Sequence, residues 1–436
     1  MNATMLVVVA VAFVLRILSI NYPSFFWSDE EYYFMRSVEV LVSFPTNVNQ
    51  PPVGFILLAA VFKVFGASLL VGRLVIALLG TASVYYTYLL CRKLNRESGE
   101  RIGVLAAVIM ALEPRQVLWA SQVSFYVPMV FFAIAGTYYA YIGIIEHRNW
   151  HSVVAGVLLA CSGLTKEVGL VFMPILACWI GSRVITQSKG ILKSLWETFA
   201  RYDVMWILGF PTFLYALWRF FISEAIGWTT YPLSFVGIGR ATSLLYLKPL
   251  SEQYLGILLS ILVVISTAIY LIQRYNLVLH SGRKQVVRET LFKSVSVTTV
   301  SATGVFGLFA LQYLGVLRHH LYFYTLGFWV GALIAFMFLL KLLVFRGEED
   351  LALIWVITTL VFFSFIQAKL MRYLIMISPG LEISSALFIS PLIERRGSQK
   401  LLVLILLASV ILQFLFVDLT MTVPEDHYYI RGLWPL

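Results

Sequence analysis

Long apolar runs separated by short polar turns make up most of this 436-residue sequence. Many of the runs approach the ~20 residues that an α-helix needs to cross a bilayer. The pattern predicts about thirteen membrane-spanning helices, near residues 3–20, 69–91, 102–121, 125–145, 152–165, 168–182, 204–222, 255–273, 294–317, 321–340, 351–367, 373–391 and 401–417. The predicted fold class is therefore an all-α, polytopic membrane protein.

The longest predicted loop, residues 21–68, contains two further apolar patterns. Residues 29–44 have the spacing of an amphipathic helix that lies on a membrane surface. Residues 52–65 predict a second helix that is too short to span. Pro51 and Pro52 separate the two.

A second long loop on the same side of the predicted bundle covers residues 223–252. Neither loop is long enough to form a soluble domain of its own. We therefore predict that residues 1–436 form a single transmembrane domain.

Composition and charge agree with this architecture. Hydrophobic residues make up 60% of the chain and charged residues 12%, against about 45–50% and about 25% in soluble domains. With the N-terminus in the cytoplasm, the cytoplasmic loops contain 19 of the 32 Lys and Arg residues, as the positive-inside rule requires. The net charge of +10 is then explained without nucleic-acid binding. We expect a multi-pass plasma-membrane protein with a cytoplasmic N-terminus.

Three adjacent carboxylates, Asp29, Glu30 and Glu31, stand just after the first predicted span. They suit the start of a surface helix, where the helix dipole favours negative charge. They equally suit a general base or a metal ligand that faces the membrane surface. The residues alone leave both interpretations open, with Asp29 as the first catalytic candidate and Glu30 as the second.

A charged pair, Lys166 and Glu167, divides the apolar stretch 152–180 into two halves that are each too short to span. The pair is therefore expected below the level of the lipid headgroups, where a lysine is costly unless it has a partner. Lys166 is predicted either to pair with Glu167 or to bind an anionic lipid group.

Two other basic groups occur at turns on the same side. Lys369 and Arg372 lie three residues apart, so a helix would place both on one face, where they could hold a phosphate or extend towards the interface. His319 and His320 follow Arg318 in a tight turn. Adjacent histidines do not share a helix face, which disfavours a two-histidine metal site and leaves proton transfer open.

Four motifs, in order along the chain, resemble those of one enzyme superfamily. They are Asp29-Glu30-x-x-Tyr33, Asn49-Gln50-Pro51-Pro52, Gly163-Leu164-Thr165-Lys166, and Lys369-x-x-Arg372-Tyr373-Leu374 followed by Pro379. The chain resembles the GT-C superfamily of polyprenyl-phosphate-sugar-dependent glycosyltransferases. The likeness is greatest to the branch of the lipid A aminoarabinose transferases and protein O-mannosyltransferases.

This resemblance implies a GT-C-like fold and transfer of a monosaccharide from a polyprenyl- or dolichyl-phosphate donor on the outer face of the membrane. Asp29 would be the catalytic base or a carboxylate beside a metal, with Glu30 as the alternative. The donor phosphate would be held by Lys166 and Arg372, with Lys369 and Tyr373. Substrate contacts are expected from Tyr33, Gln50, His319 and His320.

The chain departs from the family pattern at two positions. Members often carry Glu-Lys or His before the two prolines, where this chain has Asn49 and Gln50. A metal ligand is therefore missing, and a divalent cofactor, Mg or Mn, stays open with Asp29 as its one candidate ligand. Some members have an arginine where this chain has Tyr32, so phosphate binding must use other residues.

The function predicted from these observations is an inverting glycosyltransferase that acts within the membrane. The acceptor is expected to be a lipid or a lipid-linked glycan, because the chain has no large domain to recruit a protein. Transfer to protein is the alternative enzyme function. A transporter or flippase of lipid-linked sugars is the alternative from another class, although such proteins often contain inverted repeats that this sequence lacks.

Overall fold

The computed structural model describes residues 3–18, 20, 28–43, 50–95, 98–187, 197–222, 351–352, 354–356, 358–359 and 375–393. Every regular element in these residues is helical. The α-helices of the first 187 residues are α1 (Ala3–Ile17), α2 (Ser28–Val40), α3 (Val53–Phe65), α4 (Leu69–Leu94), α5 (Gly99–Leu112), α6 (Pro114–Ala120), α7 (Tyr126–Ile145), α8 (Asn149–Thr165) and α9 (Phe172–Gln187).

Three more helical segments complete the described fold. A 3-10 turn, Glu167–Val171, joins α8 to α9. The segment 202–222, α10, alternates α-helical turns (Tyr202–Val204 and Phe210–Leu217) with π-helical turns (Met205–Gly209 and Trp218–Ile222). The last helix, α11, is Ser378–Ile393.

The long helix α4 occupies the centre, and α1, α3, α5 and α7 pack against it. On the far side of α7 lies α8, which also contacts α10, while α11 packs on α5. Among the described helices, α4 and α7 are long and apolar enough to cross a bilayer by length and composition, and α1 and α3 are shorter apolar helices.

Most of the predicted helices within the described residues are found. Both helices of the first loop form with the expected order and nearly the expected bounds, and the predicted turn at Lys166 separates α8 from α9. The predicted spans at 255–273, 294–317, 321–340 and 401–417 and the loop 223–252 lie outside the described residues. The count of thirteen therefore stays a prediction.

The predicted span 102–121 is wrong, because the structure divides it into α5 and α6. Pro114 has no backbone N–H and cannot continue a helix, and Glu113 before it adopts an extended conformation with ψ 116°. The Glu113 carboxylate then accepts a hydrogen bond from the backbone N–H of Gln116 and caps α6. The sequence contains the signal for this break, because Pro114 stands between two charged residues, Glu113 and Arg115.

Loops that were predicted to be cytoplasmic meet at one end of the bundle. Lys93, at the end of α4, donates to Glu146 after α7 at 2.6 Å, and Arg201 lies 3.3 Å from the His147 ring. The first loop and the turns at 113–125 and 166 lie at the other end, as the alternating threading predicts. We call this second end the first-loop end.

Candidate functional site

The acidic run at the start of α2 divides into three different environments. Glu30 is fully buried, whereas Asp29 is partly exposed and Glu31 is exposed. Neighbours on a helix point about 100° apart, so the three carboxylates cannot share one cavity.

Glu30 forms a two-point ion pair with Arg73 of α4. The Arg73 Nε and Nη2 atoms each donate to one carboxylate oxygen at 2.9 Å. Oε1 also accepts the backbone N–H of Val123 at 2.8 Å, and Arg73 Nη1 donates to the Ile20 carbonyl at 3.1 Å. This arrangement ties α2, α4 and the 121–125 segment together, and it uses both oxygens of Glu30.

Lys166 is the central basic residue of the first-loop end. It leaves α8 in an extended conformation, with φ −155° and ψ 133°, and only 6% of its surface is exposed. Its ammonium donates to the Tyr33 hydroxyl at 2.9 Å and to Gln50 Oε1 at 3.1 Å. It also lies 4.4 Å from the centre of the Tyr126 ring, a distance at which the ring face stabilises a cation.

Three of the residues predicted from the motifs therefore meet at one point. Tyr33 belongs to α2, Gln50 immediately precedes the two prolines, and Lys166 lies at the end of α8. Asp29 precedes Tyr33 by four residues in α2, so both lie on the same side of that helix. The hydrogen bond to Tyr33 therefore joins the buried Lys166 ammonium to the helix whose first turn contains the partly exposed Asp29.

Aromatic packing fixes the position of Tyr33. Its ring stacks on Phe125 with centroids 4.2 Å apart, and Phe55 of α3 meets Phe125 edge to face at 4.7 Å. A Cβ on Gly54 would lie 2.7 Å from the Phe125 ring. The absence of a side chain at Gly54 is what allows α3 to approach this closely.

Glu167 contacts α10 at the same turn. Tyr215 is hydrogen-bonded to its carboxylate, and Arg219 and Lys166 both interact with its charge. Neither α10 residue was predicted from the motifs. The sequence contains a signal for Arg219, because it is the one charged residue in the predicted span 204–222.

A second polar cluster lies where α5 ends. Arg16 is fully buried and donates to the carbonyl oxygens of Met110 and Ala111, both at 3.3 Å. Gln116 donates to Ser378 Oγ at 3.1 Å, and Ser378 donates to Glu382 at 2.6 Å. These contacts fix the break between α5 and α6 against α1 and α11.

No group of three or more His, Cys, Asp or Glu side chains within the described ranges is arranged to hold a metal ion. Asp29, the one predicted metal ligand, is followed by a carboxylate that is already bound to Arg73. The residues described here therefore do not fit a Mg or Mn site. The remaining predicted site residues, His319, His320, Lys369, Arg372 and Tyr373, lie outside the described residues.

Comparison with protein families gives one match. Residues 49–197 match the family described as dolichyl-phosphate-mannose-protein mannosyltransferase. This segment includes Gln50 and Lys166 but not α2. No curated protein sequence matches the chain.

Solved structures match nearly the whole chain at low sequence identity. ArnT from Cupriavidus metallidurans, bound to undecaprenyl phosphate, has a TM-score of 0.56 and 18% identity, and the match covers 98% of this chain and 68% of ArnT. The Archaeoglobus fulgidus oligosaccharyltransferase in complex with zinc and sulfate has a TM-score of 0.52 and 17% identity, with 96% of this chain and 52% of that chain covered. AglB, the oligosaccharyltransferase from Archaeoglobus fulgidus in complex with an inhibitory peptide and a dolichol-phosphate, has a TM-score of 0.51 and 16% identity. This match covers 96% of this chain and 55% of that chain.

These structures share the GT-C fold, which the chain therefore has. The expected resemblance to glycosyltransferases of this superfamily is found in both comparisons, in residues 49–197 by sequence and over nearly the whole chain by fold. GT-C proteins are integral membrane proteins, in agreement with the apolar helices α4 and α7.

Proposed function

We propose that this GT-C glycosyltransferase moves a monosaccharide from a polyprenyl-phosphate-linked donor to a lipid or lipid-linked glycan acceptor. The reaction would take place at the first-loop end, on the outer face of the membrane, with inversion at the anomeric carbon. The observation that carries the proposal is the buried ammonium of Lys166, which donates hydrogen bonds to Tyr33 and Gln50. Tyr33 lies one helical turn after Asp29 in α2.

Lys166 is suited to hold the donor phosphate. A buried ammonium is stabilised by a negative partner, and the contacts of Lys166 include a hydroxyl, an amide oxygen and an aromatic ring. A phosphate would supply the opposite charge through a charge-assisted hydrogen bond. The ArnT structure, whose fold this chain shares, contains undecaprenyl phosphate, and a phosphate of this kind is the ligand we propose here.

Asp29 is suited to act as the general base. In an inverting transfer, the acceptor hydroxyl oxygen attacks the anomeric carbon while the bond from that carbon to the phosphate oxygen breaks. The hydroxyl proton passes to a carboxylate, and polyprenyl phosphate leaves as an anion that a cation stabilises. Asp29 is partly exposed and precedes Tyr33 by one helical turn, so we assign it the role of proton acceptor. We assign Lys166 the role of stabilising the leaving phosphate.

Glu30 is assigned a positioning role rather than a catalytic one. Both of its oxygens are bound to Arg73, and one also binds the backbone of Val123. A carboxylate held in this way fixes the start of α2 and therefore the place of Asp29. Arg372, Lys369, Tyr373, His319 and His320 stay proposed contributors to phosphate and substrate binding.

Turnover by the purified protein tests the proposal. The protein in detergent would be incubated with undecaprenyl-phosphate mannose, glucose or aminoarabinose and an extract of membrane lipids, and release of undecaprenyl phosphate would be measured. We expect release that depends on the extract and that is lost in Lys166→Ala. Movement of a donor across vesicles without cleavage of the sugar–phosphate bond would instead support a transporter.

A further inference from the structure

Glu167 directly follows Lys166, and its carboxylate, which has no role in the mechanism above, interacts with the Lys166 charge. The Tyr215 hydroxyl is hydrogen-bonded to this carboxylate, and Arg219 is close enough to stabilise its charge. Both partners come from α10, so the carboxylate is held between the α8–α9 turn and that helix.

One oxygen of this carboxylate is available to a ligand. Glu167 Oε1 is shielded from solvent and has no hydrogen-bond partner among the described residues. Buried polar atoms are nearly always hydrogen-bonded in proteins, so a shielded carboxylate oxygen in this position calls for a donor from outside the described side chains.

The local backbone of α10 supports a binding role. Tyr215 and Arg219 lie four residues apart and so share one side of the helix. Arg219 belongs to the π-helical turn Trp218–Ile222, and π-helical turns occur frequently at functional sites. The three residues therefore form an acceptor oxygen, a hydroxyl and a guanidinium next to a buried ammonium.

We propose that Glu167 is a specificity-determining residue that accepts a hydrogen bond from the sugar of the donor, with Tyr215 and Arg219 as positioning residues. This inference rests on the proposed function, because the sugar is bonded directly to the phosphate that Lys166 would hold. A carboxylate oxygen accepts hydrogen bonds. The subsite therefore favours a sugar with a free hydroxyl or ammonium group at the contact and disfavours an acidic sugar.

Binding measurements with and without the sugar test this inference. The affinity of the detergent-solubilised protein would be measured for undecaprenyl phosphate and for undecaprenyl-phosphate mannose, glucose and aminoarabinose. The parent protein should bind at least one of the three sugar-bearing lipids more tightly than undecaprenyl phosphate. Glu167→Gln should reduce this preference about tenfold or more.

The direction in which Glu167→Gln changes the affinity for undecaprenyl phosphate itself provides an internal control. Because Glu167→Gln removes a negative charge beside Lys166, the affinity for undecaprenyl phosphate should stay unchanged or increase. Binding of this lipid by the variant also shows that the variant is folded. Tyr215→Phe should reduce the sugar preference by a smaller factor, and Glu31→Gln, the same exchange at an exposed carboxylate, should change neither affinity.

Two results would overturn the assignment: no preference for any of the three sugar-bearing lipids in the parent protein, or a preference that survives both Glu167→Gln and Tyr215→Phe. Failure of the proposed function has a different signature. In that case Lys166→Ala would bind undecaprenyl phosphate as well as the parent protein does.

Discussion

The ammonium of Lys166 lies 2.9 Å from the hydroxyl oxygen of Tyr33, although 133 residues separate the two in the chain. The contact joins the end of α8 to α2, the helix that begins with the acidic run. It brings together two motifs whose proximity the sequence could only suggest, and it joins Lys166 to the helix whose first turn contains Asp29.

Lys166→Ala should weaken binding of undecaprenyl phosphate severely, by about 10- to 100-fold, because it removes a charge-assisted hydrogen bond in a buried position. Lys166→Arg should retain part of the affinity, since it keeps the charge. Lys63→Ala, which removes an exposed lysine of α3, is the matched control and should bind normally. Equal affinities for the Lys166→Ala variant and the parent protein would remove Lys166 from the site.

Glu30→Gln should lower the free energy of unfolding by about 3–5 kcal/mol, because it leaves the Arg73 guanidinium buried without its charged partner. Both side chains of this pair are 0% exposed. The Arg92–Glu100 pair has side chains that are 57% and 48% exposed, so Arg92→Ala should cost only about 0–1 kcal/mol. Thermal unfolding in detergent measures both, and similar losses for the two variants would contradict a structural role for Glu30.

Gly54→Ala should disturb the site through packing. The added Cβ would lie 2.7 Å from the Phe125 ring, and Phe125 stacks on Tyr33, so the aromatic layer must shift at a cost of about 1–3 kcal/mol. We expect weaker binding of undecaprenyl phosphate by the folded protein. Gly209→Ala, whose Cβ would meet only Met205 Sδ at 4.0 Å, is the control. Normal binding of undecaprenyl phosphate by Gly54→Ala would show that this binding does not depend on the position of Tyr33.

Local pattern was sufficient to predict the helices of the first loop and the turn at Lys166, whereas Tyr33 and Gln50 were expected at the site only from the resemblance to the GT-C superfamily. The helices and the turn depend on apolar periodicity, on proline, or on a charge that interrupts an apolar run. The fold class followed from the same signals, because a bilayer restricts a spanning chain to very few structures.

Other features depended on contacts that no local pattern encodes. Glu30 and Asp29 are adjacent carboxylates, and contacts with Arg73 and Val123, 43 and 93 residues away from Glu30, separate their roles. The break at Pro114 has a local signal, but the contact of Gln116 with Ser378, 262 residues away, that stabilises it does not. Tyr215 and Arg219 reach the site only because α10 packs on α8.

The most direct test of the account compares Asp29→Asn with Glu31→Gln, using one polyprenyl-phosphate sugar donor that the parent protein cleaves. Asp29→Asn keeps the shape of the side chain and removes its basic oxygen, so transfer should fall by about 10²–10⁴-fold while donor binding persists. Glu31 is exposed, and its variant should transfer at nearly the parent rate. An active Asp29→Asn variant together with an inactive Glu31→Gln variant would contradict the assignment of Asp29 as the base.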